Sequence, residues 1–233
     1  MRFHAVFFDV GETLVHPVPS FPELFAMVLA ERGYDRDGSD VAAASAVVRR
    51  RFSDAARTDD RWTLSPERSR AFWVEVYREM LETLGLPSQD GLRVALYERF
   101  TQLSSYALFD DVAETLDRLD QVVSTLGIVS NFEAWLDVLL DALDVRDRFD
   151  VRVISGLEGV EKPDPAIYRL ALERAGVEPE CVVFVGDNPE FDVDPPARLG
   201  MVPVLIDRHH RYPEHEGHRI DDLRSLPSLL ETL

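Results

Sequence analysis

The chain has 233 residues, enough for one sizeable core or a core with a small inserted domain, and its 45% hydrophobic content is that of a globular protein and not a disordered one. The formal net charge is -18 and the pI about 4.6. A surface this acidic repels nucleic acid and anionic lipid, which argues against both as partners, while a locally positive pocket still admits a small anionic substrate.

In chain order, "FHAVFF" (3–8) reads as a buried strand that ends at Asp9. Residues from about 20 to 104 then carry helical patterns near 21–33, 39–57, 66–85 and 89–103, with no convincing strand. Ser65 and Pro66 make a helix start and "GLP" (85–87) a stop. Trp62 and Trp73, at helical spacing, read as core. The run Arg49 to Arg51 reads as a solvated helix face. Beyond the insert, helical patterns at 110–120, 133–144, 165–175 and 190–199 alternate with strands at 122–129, 181–185 and 202–206 and a weaker one at 151–154. This alternation predicts an α/β protein whose parallel sheet is covered on both faces, a three-layer Rossmann-like core. The core takes 1–16 and 105–233, and the helical insert takes 17–104.

Several features carry no chemistry on this reading. Cys181, the single cysteine, forms no internal disulfide and reads as a small buried core residue. The start "MRFHAVFFD" meets a charge before an apolar signal segment forms, and no apolar run approaches the roughly 18 residues of a membrane span, so the expected location is reducing and cytoplasmic. The stretch 207–221 holds His209, His210, His215 and His218 and reads as a solvated loop, placed after a strand and so at the edge of the expected site. Pro195 and Pro196 are expected to shape a helix start, and Phe132 either lines a pocket entrance or packs.

Open α/β sheets bind ligands beyond the carboxyl ends of their strands. The polar residues leaving those ends are Asp9, Ser130 with Asn131, and Asp187, and Lys162 sits in "EKPDP" ahead of a helix. These types suit one reaction. A carboxylate can attack a phosphoryl group when a divalent cation and a lysine offset the charge. Asp9, Asp187 and Asp192 offer the hard oxygen ligands that magnesium prefers, Lys162 a cation, and Ser130 a donor for phosphoryl oxygens.

Four motifs resemble those of the haloacid dehalogenase-like (HAD) hydrolase superfamily: "FFDVGETL", "GIVSNF", "EKPDPAIY" and "VFVGDNPEFDVDPPARLGM". Each alone is weak; all four in order cover nearly the whole chain outside the insert. The resemblance implies a magnesium-dependent phosphatase for small phosphorylated metabolites, acting through an aspartyl-phosphate. Asp9 would be nucleophile and magnesium ligand, the Gly11 carbonyl a further ligand, and Asp187 a ligand with Asp192 beside it. Ser130 and Asn131 would hold the phosphoryl group, and Lys162 would stabilise developing charge. The insert resembles the subfamily I helical cap, which closes over the site and selects substrates. A monomer or a homodimer is compatible with all of this.

The family's phosphatases carry a second aspartate where Gly11 stands. It protonates the leaving group and then activates water, help worth roughly 10²- to 10⁴-fold. Three readings stay open: a phosphatase in which Glu12, His16 or water replaces that acid, a 2-haloacid dehalogenase that attacks carbon without metal, and a binding protein silent in turnover. The acids Asp187 and Asp192 favour the first, because unpaired carboxylates beside a nucleophilic one repel it unless a cation lies between them.

Overall fold

A computed structural model describes residues 2–58, 61–88 and 90–233. Met1, at the start of the expected core segment, Asp59 and Asp60, inside the expected insert, and Gln89, the expected first residue of its fourth helix, lie outside the described residues. The described strands are β1 (Ala5–Phe8), β2 (Val15–Pro17), β3 (Tyr106–Leu108), β4 (Thr125–Ser130), β5 (Val151–Ile154), β6 (Val182–Gly186), β7 (Val202–Ile206) and β8 (His218–Ile220). The chain divides into two compact units, 1–15 with 108–233 and 16–107.

In the first unit, six strands form one parallel sheet in the order β5-β4-β1-β6-β7-β8. The chain leaves β1, lays β4 and β5 on one side, then crosses back to place β6, β7 and β8 on the other. Strand order reverses at β1, so Asp9 leaves the sheet where α/β folds open a ligand crevice.

Successive strand residues face opposite sides of a sheet. On one side Ala5, Phe7, Val182 and Phe184 join Ile167, Tyr168 and Ala171 of the helix Pro165–Ala175 in one apolar cluster. On the other, Val6, Phe8, Val183 and Val185 are equally buried. Apolar faces on both sides are what the three-layer Rossmann-like arrangement requires. Burying each such side chain contributes roughly 1.5–3 kcal/mol. Gly127 of β4 is a fitted part of this packing: a Cβ there would lie 2.7 Å from the Phe7 ring.

Some elements differ from the sequence pattern. The stretch 207–221 ends in a strand and not a loop: β8 pairs with β7, Ile206 opposite Ile220. Only Ile220 of its three residues is buried, so apolar alternation never signals it. Cys181 is half-buried, because it closes the turn Pro179–Cys181 one residue before the buried strand begins. The helix expected at 190–199 is a wide π-turn, Pro189–Val193, followed by a short helix, Asp194–Arg198, with Pro195 and Pro196 in its first turn.

The second unit is helical, with helices Phe21–Glu31, Gly38–Ala44, Ala46–Arg57, Pro66–Thr83 and Asp90–Phe100. The single helix expected over 39–57 is broken at Ser45, whose hydroxyl bonds back to the Val41 carbonyl at 3.1 Å and competes with the helix ladder. The Ser65 side chain caps the Arg68 N–H at 3.3 Å, and Gly85 closes that helix at φ +67°. Trp62 is buried and stacks on Phe72 with ring centroids 4.5 Å apart. Trp73 is half-buried and meets the same rings edge-on. Arg50 and Arg51 are ion-paired to Glu79. Among the described residues no helix is long and apolar enough to cross a membrane.

Candidate active site

Asp9 follows β1, and its N–H donates to the Val185 carbonyl at 2.8 Å, which fixes the residue against β6. Its Oδ1 accepts from Lys162 Nζ at 2.7 Å and from Ser130 Oγ at 3.3 Å, and its Oδ2 has no hydrogen-bond donor among the described residues. Ser130 ends β4, so the register of β1 against β4 brings together groups 121 residues apart.

Lys162 is almost fully buried. Its ammonium also donates to Asp192 Oδ1 at 2.7 Å and lies 5.9 Å from the centre of the Phe184 ring. Burial opposes its charge, but the Asp192 and Asp9 carboxylates outweigh burial and raise its pKa. Asn131 clamps the backbone that carries this lysine. The Lys162 N–H donates to Asn131 Oδ1 at 2.6 Å, and Asn131 Nδ2 donates to the Lys162 carbonyl at 2.8 Å. Both ends of the Asn131 amide are thus engaged with the backbone of Lys162.

Asp187 leaves β6, and Asp192 lies in the π-turn after it. The turn curls Asp192 back: its N–H reaches the Asn188 carbonyl at 2.7 Å, and its Oδ2 accepts from the Asn188 N–H at 3.0 Å. Gly186 makes the room, since a Cβ there would meet the Asp192 carboxyl at 2.3 Å. One carboxylate oxygen from each of Asp9, Asp187 and Asp192 lies within 4.8 Å of the others.

Three carboxylates here share one ammonium, and the protonation energetics show the excess. Burial, then the charges of Asp9 and Asp192, push the Asp187 carboxyl well above the usual range. Burial lifts Asp192 to about 7, although Lys162 pulls the other way. Two uncompensated negative charges on hard oxygen donors at this spacing fit a divalent cation such as Mg²⁺.

The remaining candidates are placed as follows. Gly11 has no heavy atom within 4 Å of an ideal Cβ. Glu12 sits at φ +57°, a conformation unusual for a non-glycine residue, and lines a hollow with Asp187. His16 belongs to the other unit, its Nδ1 2.9 Å from the Pro17 carbonyl oxygen. Phe132 packs edge-to-face on Trp135 at 4.8 Å, and its backbone is bonded to Ser155.

Three groups here escape a reading of the sequence. Tyr168 donates its hydroxyl to the Phe191 carbonyl and so braces the turn that carries Asp192. Its position on an apolar helix face is the one sequence signal, and that signal reads as core. Asp111, which is buried, and Arg208, which is partly buried, lie 97 residues apart and form a bidentate pair at 2.7 and 3.0 Å. Arg208 also donates to the Thr13 carbonyl at 2.8 Å and lies 3.8 Å from the centre of the Phe109 ring, fastening the turn after Asp9 to the loop after β7.

The family model described as haloacid dehalogenase-like hydrolase matches residues 3–200. Human haloacid dehalogenase-like hydrolase domain-containing protein 3 is 32% identical over 143 residues, 59% of this chain and 56% of that protein. The chain thus spans little more than half the length of that relative. A (S)-2-haloacid dehalogenase 4A from Burkholderia cepacia is 31% identical over 85% of this chain and 86% of its own length. A phosphoserine phosphatase from Thermus thermophilus is 31% identical over 66% of this chain and 64% of its own. Among solved structures, the putative HAD-hydrolase YfnB from Bacillus subtilis shares the fold, with a TM-score of 0.76 at 16% identity over 99% of both chains. The chain belongs to the haloacid dehalogenase-like hydrolases.

Proposed function

We propose that the first unit is a magnesium-dependent phosphatase for small phosphorylated metabolites. The observation that carries this reading is the cluster of Asp9, Asp187 and Asp192 with Lys162 as its single ammonium. A buried carboxylate excess is costly without a cation. Carbon-centred dehalogenation needs no cation to offset phosphoryl charge, whereas phosphoryl transfer would use these acids to hold a metal. Asp9, Asp187 and Asp192, with the Gly11 carbonyl, would hold Mg²⁺, which when bound neutralises phosphoryl charge.

Asp9 attacks phosphorus, the phosphorus–oxygen bond to the leaving group breaks, and the departing oxygen takes a proton from water, Glu12 or His16. Water then attacks the aspartyl-phosphate at phosphorus, which releases phosphate and restores the carboxylate. Ser130 and Lys162 hold Asp9 Oδ1 and would bind the phosphoryl oxygens, and Asn131 keeps Lys162 in place. The helical unit would serve as the cap that selects substrates. Relatives that include a phosphoserine phosphatase support the reaction class.

The test is phosphate release from a panel of monoesters with magnesium, in wild type and Asp9→Asn. The variant should lose at least about 10³-fold. The absence of Asp9-dependent release from every ester overturns the proposal. A second reading, 2-haloacid dehalogenation, is favoured by Gly11 and by the Burkholderia relative. Halide release from a 2-haloacid without metal would establish it instead.

A further inference from the structure

The loop after β7 places two arginines, Arg208 and Arg211, with His209 and His210 between them, beside the site in a chain of net charge -18. It is a built loop. Asp207, 2% exposed, accepts from the N–H groups of Arg211 at 2.7 Å and Tyr212 at 2.9 Å, and Arg208 is locked to Asp111 and Thr13. Its side chains line a hollow whose other wall is Glu12 and Asp187, so the hollow adjoins the carboxylate cluster.

The polar groups around this hollow differ in how they are partnered. Glu12 faces His209, with Oε2 3.5 Å from Nε2. Asp207 is spent on its own loop and on Arg219. Asp187 belongs to the cluster. Arg208 is paired with Asp111. Arg211 is left: its guanidinium is exposed and makes no ion pair among the described residues, although it is near enough to act on Asp187. Arg50 and Arg51 of the other cationic run, by contrast, are matched by Glu75 and Glu79.

We propose that Arg211 is the donor of a second anion-binding subsite, which recognises a carboxylate or a further phosphate on the leaving-group portion of the substrate. This rests on the phosphatase reading and narrows it to monoesters with two anionic ends. The fork of an arginine pairs with two oxygens of such a group, while Asp9 and Lys162 engage the phosphoryl end. An anion held there would meet the Arg211 guanidinium at close range, in a protein whose general field repels it.

The experiment compares 3-phosphoglycerate with glycerol 3-phosphate, which differ only by a carboxylate against a hydroxymethyl group, in wild type, Arg211→Gln and Arg211→Lys. The wild type should prefer 3-phosphoglycerate in kcat/KM. Arg211→Gln should reduce that preference about tenfold, chiefly through KM, and Arg211→Lys should restore part of it. Added salt should erode the preference in wild type and leave the Gln variant unmoved. A preference that is absent in wild type, or unchanged in Arg211→Gln, overturns the subsite. A third arm, a bisphosphate, shows whether the second anion is carboxylate or phosphate. If neither ester is turned over, the wider monoester panel still decides the phosphatase reading. Calorimetric titration of Asp9→Asn protein with the same two esters then decides the subsite alone: equal binding, or a difference that Arg211→Gln leaves intact, refutes it.

Discussion

The two units treat charge in opposite ways. In the α/β unit, Asp9, Asp111, Glu161, Lys162, Asp192 and Asp207 are all buried. In the helical unit, the buried polar side chains among the described residues are the hydroxyls of Thr63, Ser69 and Ser105, and its ion pairs, such as Arg78 with Glu75 and Glu82, lie in partly exposed positions. Burying an ionised group costs several kcal/mol unless partners repay it. One unit therefore carries a standing electrostatic cost and the other is stabilised by apolar and aromatic packing. Charge is buried in the unit that holds the carboxylate cluster, and the helical unit keeps its charge in contact with water.

Four experiments break or sharpen this contrast. The largest effect is expected from Gly11→Asp, which restores the absent acid at a position where a Cβ meets open space. Phosphate release should rise by up to about 10²- to 10⁴-fold in steady-state assays. An unchanged rate would show that another group already supplies the proton. Next is Trp62→Ala, which empties an aromatic stack in the helical unit and should cost about 3–5 kcal/mol in denaturant unfolding. Calorimetric magnesium uptake should survive it; loss of uptake by folded protein would erase the division between the units.

The third effect follows from the raised carboxyl pKa values of Asp187 and Asp192. Between the ordinary carboxyl range near 4 and the value of about 7 for Asp192, the folded protein without metal holds protons that the unfolded chain has released. The cluster's contribution to stability therefore falls as pH rises through that window. Magnesium should raise Tm by about 5 °C at about pH 8 and by less at about pH 5. No gain at either pH would refute a cation site. The smallest effect belongs to Arg51→Gln, which removes a partly exposed pair with Glu79 and should change stability by about 1 kcal/mol or less. A larger loss would mean that the helical unit also depends on charge.

Sequence legibility followed the range of each signal. The strands at β1, β6 and β7 and the start of the helix at Pro66 announce themselves within a few residues, through apolar runs and a capping serine. Asp9, Ser130, Lys162 and Asp187 were visible because each follows a strand or precedes a helix in a recognisable motif. β8 was not visible, because an edge strand with a single buried residue leaves no alternation to read. The break at Ser45 leaves no sequence signal, because one hydroxyl competing with the helix ladder hardly disturbs the apolar pattern.

By itself, the sequence determined the class of fold, the presence of a helical insert and the kinds of side chain that reach the carboxyl edge of the sheet, since these depend on local periodicity and residue type. Tertiary structure alone decided which of those side chains meet. Asn131 grips the backbone of Lys162, Tyr168 braces the turn of Asp192, Arg208 binds Asp111 and Thr13, and Arg211 lines the hollow beside Asp187. The reason is physical. Such contacts join residues up to 195 positions apart, and their energies depend on distance and burial, which exist only once the chain has folded.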